Sequence, residues 1–419
     1  MTAWFVLAGA LALWAVAEVG LCYLIRILKP RFQWLIGPGD ESPAIDPETV
    51  RRHVERSFDP DLGWLRLPGS TGQDRTSSGP AAFHINAEGG RVNPGFDGAA
   101  SLVAAVGDSF TFCRLVNDNE TWPHLLSQRL NTNVLNFGVG NYGLDQALIR
   151  LERLLPQMHS HVIIMGVVPE TMARVHSYWK HYFEYGNVLA FKPRFTLEKG
   201  ALRHHPPAVK TPQEFFRYAD RLDRIQALDP FYRTKFRRDI LAFPFALRLL
   251  ARFRRHGPIL WHLCFGVVTG SSERGWRRAF DVVFRENART TARLYRDPSA
   301  CQLLAALVAR FAQICRVGDR QPLLAVLPQP VDLARLDEKH DDYRPFFAGL
   351  SGMLPVVDCT QIFYTHPERS RLYVEGPLGP HPSRFGNQVI ADTLAPVVAG
   401  LIDLAERRAL QAPAPNSGR

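Results

Sequence analysis

From residue 101 to 168 the chain repeats one pattern: a short apolar run, a turn, then an amphipathic stretch. Residues 101–106, 133–139 and 161–168 read as strands, with helices at 120–130 and 144–155 between them. Short apolar runs that do not alternate with polar residues mark strands buried on both faces. The pattern resumes at 322–327 and 353–357, and 387–408 reads as a closing helix. Strands alternating with helices predict an α/β fold with a central parallel sheet between two helical layers.

Composition agrees with a globular chain. Its 419 residues are 46% hydrophobic and 21% charged, which excludes a disordered, collagenous or coiled-coil protein. The six cysteines form no C-x-x-C pair, against a zinc ribbon or a dense disulfide framework. No H-E-x-x-H, P-loop or G-x-G-x-x-G stands in a convincing context, and no metal or organic cofactor is implied.

Residues 3–25 are apolar except Glu18. About 20 such residues cross a bilayer core, so residues 1–28 are expected to form a single transmembrane anchor, with Glu18 counting against it. Arg26, Lys29 and Arg31 follow the run and no Lys or Arg precedes it; the positive-inside rule then places the rest in the cytoplasm. Residues 29–58 read as a polar linker and 406–419 as a flexible tail. Residues 203–300 carry 20 Lys and Arg against 9 Asp and Glu, with interleaved aromatics, and read as a basic helical insertion. Such a stretch is expected either to present a solvated basic face or to dock on anionic lipid headgroups. A nucleic-acid partner is not expected, because no nucleic-acid module surrounds the charge.

The chemistry concentrates at Gly107-Asp108-Ser109. A Ser just past a buried strand, on the turn into a helix, stands at the carboxyl edge of the sheet, where open α/β sheets bind ligands. The helix start offers N–H groups to an oxyanion, and a Ser needs a base to become a nucleophile. His381, on a loop just before the last helix, is the candidate base. Trp122 and Tyr142 read either as core or as sugar-stacking platforms.

Over roughly residues 59–200 and 300–405 the chain resembles the SGNH (GDSL-type) hydrolases and acyltransferases, including membrane-anchored bacterial ones. The matching blocks are Gly107-Asp108-Ser109, Asn136-Phe137-Gly138-Val139-Gly140-Asn141, Gly166-Val167-Val168-Pro169-Glu170, and His381 with Gly386-Asn387. The resemblance implies a flavodoxin-like three-layer catalytic domain from 59–202 and 301–405. It implies Ser109 as nucleophile, His381 as base, and Gly140, Asn141, Asp108 and Glu170 at the oxyanion or substrate. Acyl esters of a glycan or glycolipid are the implied substrate class, and an extracytoplasmic domain is favoured, against the basic flank. Three positions depart from the pattern: Asn141 replaces the second-block Gly, Glu170 the third-block Asn, and Leu378-Gly379 the Asp that orients the His. Glu375 or Asp358 is the candidate replacement for that acid; a Ser–His dyad without a third member is the other option. The departures leave two alternatives: a degenerate domain that binds glycan or scaffolds a polysaccharide-biosynthesis complex, and a membrane-surface adaptor built on 203–300.

Overall fold

The computed structural model describes residues 2–76, 79–377 and 379–411. Along the chain come α1 (Thr2–Leu28), β1 (Val103–Gly107), α2 (Trp122–Leu130), β2 (Val134–Gly138), α3 (Leu144–Leu154) and β3 (Val162–Val167). There follow α4 (Phe245–Ala251), α5 (Phe253–Val268), α6 (Ser272–Leu294), α7 (Pro298–Val317), β4 (Gln321–Val326), β5 (Val356–Asp358) and α8 (Arg384–Gln411). The five strands form one parallel sheet in the order β5-β4-β3-β1-β2. Strand order reverses between β1 and β3, and the crevice at such a switch point is where doubly wound sheets bind ligands.

Successive strand residues point to opposite faces. Ala104, Val106, Ile163, Met165, Leu324 and Val326 pack against α3 and α7 through Leu148, Leu151, Leu304, Leu307 and Phe311. Val103, Ala105, Val162, Ile164, Leu323 and Ala325 pack against α2 and α8 through Trp122, Leu126, Ile390, Leu394 and Val398. Both faces are covered, which is why the strands read as unbroken apolar runs.

The chain divides into two compact units. One comprises residues 55–175, 193–207 and 291–419 and carries the sheet; the other comprises 1–54, 176–192 and 208–290. These limits correct the expected ones. Residues 29–58 are not a linker: Phe32, Leu35 and Ile36 are buried, the first two in one cluster with Leu241, Ile259 and Leu263, and Pro47–Arg56 is a helix. A few apolar side chains at the right spacing outweigh polar composition. Residues 176–192 leave the sheet unit because their aromatics need partners in the other one. Trp179 meets Tyr218 at 5.2 Å, and Phe183 meets Phe231 at 4.6 Å. The insertion is correspondingly narrower than 203–300. Ala201–His205 pairs with Arg194–Glu198 in a hairpin, and Tyr295 and Ala300 join the sheet core. Helix α8 continues through 406–411, and the rest of the expected tail, 412–419, lies outside the described residues.

Among the described residues three helices are long and apolar enough to cross a membrane. Two of them, α7 and α8, are apolar because they cover the sheet. The third, Trp4–Arg31, overlaps most of α1, and only 6% of its most apolar window is buried.

Candidate active site

Three glycines prepare the carboxyl edge of the sheet. Gly107 on β1 stands in register with Gly138 on β2 and Gly166 on β3. The helical turn Ser109–Phe112 lies over this row. A Cβ at Gly107 would come within 2.1 Å of the Gly166 carbonyl oxygen, and one at Gly138 within 2.2 Å of the Phe112 nitrogen. One at Gly166 would meet Thr111 Oγ1 at 2.3 Å. No side chain fits, so the glycines of three separate sequence blocks serve one purpose: they let the Ser109 turn fold back onto the strand ends.

Asp108 caps that turn. Its Oδ1 accepts from the Phe110 N–H at 2.8 Å, and its Oδ2 from the Val168 N–H at 3.0 Å and Arg174 Nη1 at 3.4 Å. The carboxylate is thus turned into the protein, tying β1 to the end of β3, and is no substrate contact. Burial pushes its pKa up, against Arg174 and the N–H donors that favour the charged form. Trp122 Nε1 donates to the Phe110 carbonyl at 3.0 Å, and Arg91 Nη1 donates to the carbonyls of Phe112 and Cys113 at 2.8 and 2.6 Å. The turn is held from both ends.

His381 arrives from the other end of the chain. His381–Pro382 pairs antiparallel with Tyr373–Val374, just ahead of α8. Asn387 Nδ2 donates to the Pro382 and Ser383 carbonyls at 3.1 and 3.0 Å, and a Cβ at Gly386 would strike the Leu372 carbonyl oxygen at 2.1 Å. Gly386-Asn387 therefore sets the His loop against the first turn of α8.

Ser109 Oγ and His381 Nε2 are 2.9 Å apart. His381 Nδ1 lies 3.1 Å from the Gly379 carbonyl oxygen. A carbonyl only accepts, so Nδ1 carries the proton and donates it there. Nε2 is then the unprotonated nitrogen, and Ser109 Oγ–H donates to it. Burial, then the Arg114 cation, lower the His381 pKa to about 4, so the ring is neutral at physiological pH.

Neither expected acid orients this histidine. Asp358 accepts from the Thr360 N–H at 2.8 Å and faces Arg344 at 3.6 Å, and Glu375 is exposed. A backbone carbonyl does the orienting, and it belongs to Gly379, one of the two residues standing where the family pattern has its Asp; the other, Leu378, lies outside the described residues. Glu170 is no oxyanion donor either, because it pairs with Arg174 Nη2 at 2.7 Å. Asn141 adopts the left-handed conformation, φ 70°, which Asn tolerates better than most residues. Its loop is pinned: Trp64 Nε1 donates to the Gly140 carbonyl at 2.9 Å, and Tyr142 Oη donates to the Trp64 carbonyl at 2.5 Å. Trp122 and Tyr142 are fully buried and form core, not a stacking surface.

Arg174 and Arg114 escape sequence reasoning, since one Arg among many carries no local signal. Arg174 gathers Asp108, Glu170 and, at 3.2 Å, the Tyr142 carbonyl. Arg114 pairs with Asp74 at 2.5 Å. A cleft of about 210 Å³ opens at His381, lined also by Gln73, Asp74, Arg75 and Arg114.

No protein-family model matches this chain, and no match to a curated protein was found. Among solved structures it is similar to one described as a lipolytic protein of the G-D-S-L family from Desulfitobacterium hafniense. That likeness has 12% identity and a TM-score of 0.31, covering 70% of this chain and 98% of the other. So distant a likeness says nothing of function, and the chain's own geometry has to carry the functional reading.

Proposed function

We propose that this chain is a membrane-anchored serine esterase or O-acyltransferase of SGNH type. The observation that carries it is the pair Ser109 Oγ–His381 Nε2 at 2.9 Å, with the tautomer fixed by the Gly379 carbonyl. Ser109 Oγ attacks an ester carbonyl carbon while its proton passes to Nε2. The tetrahedral intermediate collapses, the C–O bond to the leaving alkoxide breaks, and His381 returns the proton to that oxygen. Water or an acceptor hydroxyl then attacks the acyl-enzyme, giving its proton to His381; the bond from the acyl carbon to Ser109 Oγ breaks, and His381 returns the proton to Oγ. The backbone N–H groups of Ser109 and of Gly140 or Asn141 are the oxyanion donors in this reading.

A small cleft beside His381, with Arg75 and Arg114 on its wall, supports a short acyl group on a polar carrier, such as an acylated glycan or glycolipid headgroup, over a long lipid chain. Turnover of p-nitrophenyl acetate and of acetylated oligosaccharides is the test. Release of acetate by wild type and its loss in Ser109→Ala supports the reading. Equal background rates in both proteins favour the second reading, a domain that binds glycan without turning it over. The carbonyl in place of an orienting carboxylate favours that alternative, since losing this acid commonly costs orders of magnitude in rate.

A further inference from the structure

The unit built from residues 1–54, 176–192 and 208–290 carries a surface that does not suit water. Phe243, Leu247 and Leu250 are 72%, 53% and 65% exposed, and Phe253, Trp261 and Phe265 are 59%, 66% and 48% exposed. They sit at helical spacing on α4 and α5 and the turn before them, while Ile259, Leu260 and Leu263 on the inner side of α5 are buried. A run of large exposed side chains of this size marks a surface that is covered by something apolar.

Glu18 identifies the cover. It lies well inside the apolar helix α1, yet it is buried. Its carboxylate accepts from the backbone N–H groups of Phe245 and Ala246, at 2.6 and 2.9 Å, where α4 begins. The one charge in the apolar run is therefore spent on the unpaired N–H groups of α4. This contact ties α4 to a fixed level along α1. Counted back from Arg26 at 1.5 Å per residue, that level is roughly 12 Å below the basic end of the helix. Further along, Ile25 and Leu28 of α1 share one cluster with Ile259, Leu260 and Leu263 of α5. Both α4 and α5 thus pack against the second half of α1.

We propose that α4 is embedded in the bilayer beside α1 and that α5 lies at the boundary between acyl chains and headgroups, presenting Phe243, Leu247, Leu250, Phe253, Trp261 and Phe265 to lipid. This rests on the reading that α1 spans the membrane. Glu18 then no longer opposes that span, because in place of water it has two hydrogen-bond donors. Arg248 and Arg254, exposed on the same helices, have long stems that carry the guanidinium toward headgroups. The exposed Arg274 and Arg278, just beyond the end of α5, suit the same headgroup level.

The test is tryptophan quenching by brominated phosphatidylcholine in nanodiscs holding the full chain. Wild type is compared with Trp261→Phe and with Trp4→Phe/Trp14→Phe. Lipid contact predicts that Trp261→Phe loses a share of the quenching comparable with that lost per tryptophan in the α1 variant. If quenching falls only in the α1 variant, α1 spans but this face lies outside lipid, and the proposal is wrong. If no tryptophan is quenched, the span itself fails, and the proposal with it.

Discussion

At the residue scale, the site turns on how His381 is kept neutral and aimed. Its pKa is about 4 against 6.5 for a free imidazole. The unprotonated ring is the active form, so the acid limb of kcat/KM for ester turnover is expected at about 4, well below the 6.5 of an exposed histidine. Arg114 is the second contributor to that lowering. Arg114→Gln is expected to move the limb upward, toward 6.5, in a pH–rate profile; an unmoved limb would contradict the electrostatic account. Stability carries the matching sign. The folded chain holds this ring neutral, so its contribution is present above 6.5 and is lost as pH falls toward about 4. Arg174 is the other sensitive residue. Its side chain is 6% exposed and pairs with Asp108 and Glu170. Arg174→Ala leaves the buried Asp108 carboxylate without its cation, at an expected cost of about 3–5 kcal/mol in denaturant unfolding. Ser109 and His381 were legible because a short motif at a strand end and a loop before the last helix announce them. The Gly379 carbonyl was not, because a backbone oxygen has no residue code. Glu170 stands at the end of β3, and its carboxylate is taken up by Arg174 one helical turn further on, a pairing that spacing alone does not announce.

At the scale of elements, the sheet was the most legible part. Strands buried on both faces leave unbroken apolar runs, so β1 to β5 stand close to where the sequence places them. What the sequence did not show is that Gly107, Gly138 and Gly166 form one row. Their register is a property of strand pairing, not of any single strand. The row makes a prediction. Gly138→Ala puts a methyl carbon within 2.2 Å of the Phe112 nitrogen, which is backbone and cannot swing aside. The Ser109 turn must lift, at an expected cost of about 1–3 kcal/mol typical of overpacking, and esterase activity is expected to fall with it. Gly352→Ala, where nothing lies within 4 Å of the added carbon, is the matched control for both unfolding and rate. The linker reading of 29–58 failed for the opposite reason. Its few apolar residues are outnumbered locally and become core only against Leu241, Ile259 and Leu263, some two hundred residues away in the chain.

At the scale of the whole molecule, two compact units are threaded through one another in sequence, and contiguous boundaries could not have revealed that. Residues 176–192 leave the sheet unit after β3, and the chain returns to it at 193–207 before leaving again. Aromatic pairing drives this division, and which aromatic meets which is not written in spacing. The 27-residue helix α1, with its apolar surface exposed, predicts that the full chain stays in the pellet when membranes are washed with alkaline carbonate. Release into the supernatant would remove the anchor from the account.

Covalent labelling with a fluorophosphonate reports whether Ser109 is activated. The detergent-solubilised chain, Ser109→Ala and His381→Ala are treated in parallel and the adduct is mapped by mass spectrometry. The Ser109–His381 geometry predicts one adduct, on Ser109, absent from the first variant and strongly reduced in the second. Folded wild-type protein that takes up no probe, or labels equally without His381, would contradict it.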